Sequence, residues 1–68
     1  MINEVYIRLA EKLYSLKDDD VKLKEYVKEN LNLEVFDENA MNQLISLLKT
    51  KESSDFIIGK VAGFLAME

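Results

Sequence analysis

Apolar residues in this 68-residue chain return at intervals of three and four in four successive blocks, and no proline interrupts any of them. That spacing is the period of one helical face, because adjacent turns carry positions i, i+3, i+4 and i+7 to the same side. Short polar clusters separate the blocks. The chain therefore reads as all-α, a small compact bundle of about four short helices forming a single helical domain over residues 1–68. The spacing predicts helices near 3–17, 20–31, 37–50 and 54–67, in an up-and-down or orthogonal arrangement.

The local signals agree with these limits. In the first block Ile2, Val5, Tyr6, Leu9, Leu13 and Leu16 form the inner stripe, Asn3 can cap the helix, and Glu4 stands four residues before Arg8 in the favourable orientation. Asp18, Asp19 and Asp20 supply capping oxygens for a second helix whose inner face is Leu23, Tyr26, Val27 and Leu31. The alternating stretch from Leu31 to Val35 is too short to pair as a strand and reads as a connector tucked into the core. At Phe36-Asp37-Glu38 a hydrophobic residue precedes a capping aspartate and an acidic first turn. Phe36 can staple onto Met41 in a third helix that carries Leu44, Ile45, Leu47 and Leu48 inward. Of the three tyrosines, Tyr14 lies farthest from the inner stripe and is expected to be the most exposed.

The fourth helix, opened by Ser53 or Ser54, is the unusual one. Ile57, Ile58, Val61, Ala62, Phe64 and Leu65 cover one broad side, yet the opposite side holds Phe56, Gly59, Lys60, Gly63, Ala66 and Met67. Lys60 is the sole charge between Asp55 and Glu68, and a helix so sparsely charged is normally covered on more than one side. Gly59 and Gly63 form a Gly-x-x-x-Gly pair that bares two backbone patches one above the other, where a second helix can approach closely. Each helical glycine costs about 1 kcal/mol relative to alanine, so the spacing implies a packing reason. Two occupants fit: another helix of this bundle, or a helix of a second molecule.

Composition removes most chemistries. The chain has no cysteine and no histidine, which excludes disulfide staples, Cys/His zinc sites and any mechanism built on a thiolate or an imidazole. Ser15, Ser46, Ser53 and Ser54 have no histidine base, and no glycine-rich phosphate loop is present. Three adjacent aspartates at 18–20 point in different directions and suit capping, not a divalent cation; Glu25 and Glu29 read as a solvated face. No catalytic residue, metal, cofactor or small-molecule substrate is expected. The N-terminal residues lack a basic segment followed by a long apolar one, and no apolar run approaches the roughly 20 residues that span a bilayer, so a cytoplasmic location off the membrane is expected.

A net charge of −4 disfavours nucleic acid as a partner. The alternative that survives is a helix-turn-helix-like domain reading through the third helix, whose outer face carries Asn42, Gln43, Ser46 and Lys49, with Asn and Gln able to pair with adenine edges. Against it, Glu34, Asp37 and Glu38 would meet phosphates with the wrong sign. An acidic four-helix chain also invites comparison with acyl and peptidyl carrier proteins. Those carry an Asp-Ser-Leu-like attachment motif opening an internal helix; here Ser53-Ser54-Asp55 is reversed and opens the last one, so the comparison fails. The expectation is a non-enzymatic protein-protein interaction module, a small regulator that forms a homodimer or docks on a larger protein through Phe56, Gly59, Lys60, Gly63 and Met67.

Overall fold

Residues 4–31 and 36–67 are described by a computed structural model. Four helices follow one another: α1 (Glu4–Ser15), α2 (Asp20–Asn30), α3 (Glu38–Leu48) and α4 (Ser54–Met67). Their starts are set by the short polar side chains between the apolar blocks. Asp19 caps α2, its carboxylate accepting from the Lys22 N–H at 3.1 Å. Asp37 caps α3 by accepting from the Ala40 N–H at 2.9 Å, and the Ser53 hydroxyl accepts from the Phe56 N–H at 3.3 Å. Each bond satisfies a donor that the first turn leaves without a helical partner. Asn3 and Ile2 lie outside the described residues, as do residues 32–35 of the connector. Glu4 and Arg8 form the expected ion pair at 2.9 Å, largely in solvent, where such pairs contribute little.

Helix α4 packs along both α1 and α3, and these are the closely packed pairs among the described residues. In an up-and-down bundle α1 would run along α2 and α2 along α3, so that arrangement is not the one adopted. The most apolar helix lies against two neighbours, which explains why it carries so little charge. The core draws on every element: Ala10 and Leu13 from α1, Leu23 and Val27 from α2, Phe36 from the connector, Ala40, Leu44 and Leu48 from α3, and Ile57, Val61, Ala62 and Leu65 from α4. No polar or charged side chain is buried among the described residues. The core therefore rests on apolar burial alone, at about 1.5–3 kcal/mol for each fully enclosed large aliphatic side chain.

The inner stripe of α1 is corrected at two positions. Val5, assigned to the inner stripe, is 58% exposed, while Ala10, left out of it, is fully buried. The inner line on α1 runs through half-buried Tyr6 and buried Ala10 and Leu13, turned away from Val5, and a small residue at Ala10 suits the close packing of α1 on α4. Ala62 on α4 is likewise fully buried. Tyr6, Tyr14 and Tyr26 are all half-buried, and the Lys17 ammonium lies 5.4 Å from the Tyr14 ring centre. Phe36 does more than precede a helix. Its buried ring meets Phe64 of α4 edge-on, with centroids 6.0 Å apart and planes at 73°, the geometry that sets a positive ring edge on a negative face. No helix among the described residues is long and apolar enough to cross a membrane.

Candidate functional site

The residues singled out on α4 fall at i, i+3, i+4, i+7 and i+11 from Phe56, so the helix carries them as a single stripe. That stripe lies open. Phe56 keeps 49% of its surface exposed and Met67 86%, Gly59 and Lys60 are exposed, and Gly63 is half-buried. A Cβ placed on either glycine would have no neighbouring side chain or other helix within 4 Å. Of the two occupants considered for the Gly-x-x-x-Gly pair, a helix of the same chain is therefore not there. The Lys60 ammonium folds back to 5.5 Å from the Phe56 ring centre, a cation-π contact, and has no carboxylate within ion-pair distance among the described residues.

The third-helix residues are divided. Asn42, Gln43 and Ser46 line one wall of a groove with Leu47 and Thr50, facing Phe64 of α4. Lys49 is exposed but caps the far end of α3 and does not line that groove. Because Phe64 stands four residues from Lys60 and three from Met67, it adjoins both on the helix surface. The α3 amides and the α4 stripe thus border one surface, joined through Phe64 with Lys60 on the near flank. At the leading end of α3, where a recognition helix would approach a phosphate backbone, Asp37 and Glu38 are exposed.

A second groove, of about 570 Å³, was not anticipated. It is lined by Val21, Val27, Phe36 and Met41, with Lys24, Glu25 and Lys28 from α2 and Asp37 and Glu38 at the start of α3. Val21, 67% exposed, begins a run at i, i+3, i+4 and i+7 with Lys24, Glu25 and Lys28. That spacing was available in the sequence, but three of its four members are charged and resemble an ordinary solvated face. The aspartates at 18–20 do structural work: Asp18 lies 3.7 Å from Lys17, Asp19 caps α2 and Asp20 begins it. Nowhere among the described residues do three carboxylates converge on one point.

In class the molecule is a small all-α bundle whose last helix leaves Phe56 and Met67 open to solvent. The chain matches no protein-family model, and comparison with curated proteins and with solved structures returns no match.

Proposed function

We propose that this chain is a non-enzymatic protein-protein interaction module, a small regulator that self-associates or docks on a larger partner through α4. The observation that supports this reading is the open space over Gly59 and Gly63. Two glycines in mid-helix lower helix stability, and nothing among the described residues uses the room they leave. Phe56 and Met67 at the two ends of the same stripe supply apolar area to bury, which singly scattered surface residues would not. The adjoining groove adds the amides of Asn42 and Gln43 as hydrogen-bonding groups at the rim, in keeping with interfaces that have an apolar centre and a polar edge.

The test is solution mass by sedimentation equilibrium over a wide concentration range for the wild type, Gly63→Leu and Phe56→Ala, together with capture of binding proteins from source-cell lysate by the same three chains. The reading requires both variants to weaken self-association or to lose captured partners while remaining folded. A folded Gly63→Leu chain that keeps the mass and the partners of the wild type overturns it.

A further inference from the structure

Resting on the reading of α4 as the docking face, we infer that its occupant is a helix of a different protein, with small or apolar residues along the contact and a carboxylate facing Lys60. A second copy of this chain is the poorer fit. Lys60 is the single charge on the stripe, and among the described residues its ammonium reaches only the ring of Phe56. In an antiparallel pair of α4 helices, the arrangement that sets the glycines against each other and opposes the helix dipoles, Gly59 faces Gly63 of the copy. The two-fold axis then keeps both Lys60 side chains on one flank, separated along the helix by two residues, about 3 Å. In a parallel pair the facing stripe offers neither lysine a carboxylate, because it carries none. Like charges so placed oppose pairing, and two chains of net charge −4 add a weaker, screened repulsion. A foreign helix with Asp or Glu opposite Lys60 removes the first objection, and a partner without a net negative charge removes the second. Its polar flank would lie towards Asn42, Gln43 and Ser46, which stand on the same side of the stripe as Lys60, beyond Phe64.

The chain itself supplies the probe. Lys60→Glu carries the same bare stripe with a carboxylate in place of the ammonium, on an exposed position where the change leaves the core untouched. Mass would be measured by sedimentation equilibrium for the wild type, for Lys60→Glu and for their equimolar mixture. The expected result is association in the mixture about 2- to 5-fold tighter than in either chain alone, falling towards the single-chain values as salt is raised. Lys60→Gln mixed with wild type should fall between, and Gly63→Leu in the Lys60→Glu chain should abolish the gain. A wild-type dimer as tight as the mixture overturns the inference in favour of a second copy, and a mixture no tighter than its components overturns the role of charge. Both outcomes leave the α4 reading to its own test, the loss of partners by Gly63→Leu.

Discussion

On one side of α4, Ile57, Val61, Ala62 and Leu65 are closed off from water by α1 and α3; on the other, Phe56 and Met67 project into it and the two glycines lie bare. The two sides differ little in hydrophobicity. What separates them is whether a neighbouring helix of the same chain reaches them, so the buried side should answer to mutation through folding and the open side through binding.

The largest effects belong to the closed side. Val61→Ala and Leu44→Ala remove methyl groups from fully enclosed positions and should cost about 2–4 kcal/mol, read as a lower denaturation midpoint at unchanged slope. In a domain this small such losses approach the whole stability. Next comes a paired test of the boundary. Ala62→Leu, on the closed side, should destabilise by about 1–3 kcal/mol through overpacking, whereas Gly63→Leu, one residue on, should leave the isolated chain at least as stable as the wild type. Equal losses at the two positions would erase the distinction between the sides.

Smaller shifts sharpen it. Gly59→Ala and Gly63→Ala should each stabilise the free chain by about 0.5–1 kcal/mol, raising Tm by several degrees, because the added Cβ meets open space and alanine favours the helix. The same substitutions should weaken partner binding, and this opposition of signs is what a glycine kept for an interface predicts. Asp37→Ala and Asp19→Ala remove helix caps and should cost about 1 kcal/mol each by thermal melting. Met67→Ser, at the open end of the stripe, should change stability by less than about 0.5 kcal/mol.

Much of this division is legible in the sequence. Helix starts depend on local hydrogen bonds, so side-chain type and position alone point to Asp37, to the aspartates at 18–20 and to Ser53 or Ser54, and the structure selects Asp19 and Ser53 from the last two sets. The α4 stripe follows from a rotation of 100° per residue, which needs no knowledge of the neighbours. Which helix lies against which is another matter. That α4 sits against both α1 and α3, and that the line on α1 passes through Ala10 and not Val5, depends on contacts between distant residues that no single block encodes. The α2–α3 groove was hidden for a related reason: Val21, Phe36 and Met41 come from three separate segments, and only the fold assembles them. The room above Gly59 and Gly63 is likewise a property of the whole arrangement.

The edge-on pair of Phe36 and Phe64 belongs to both clefts at once, for Phe36 lines the groove between α2 and α3 while Phe64 lines the one between α3 and α4. The two clefts thus share a partition two rings thick. Any ligand that turns either ring changes the magnetic shielding its neighbour feels at 6.0 Å, so the aromatic proton shifts of Phe64 would report occupancy of a groove that Phe64 itself does not line.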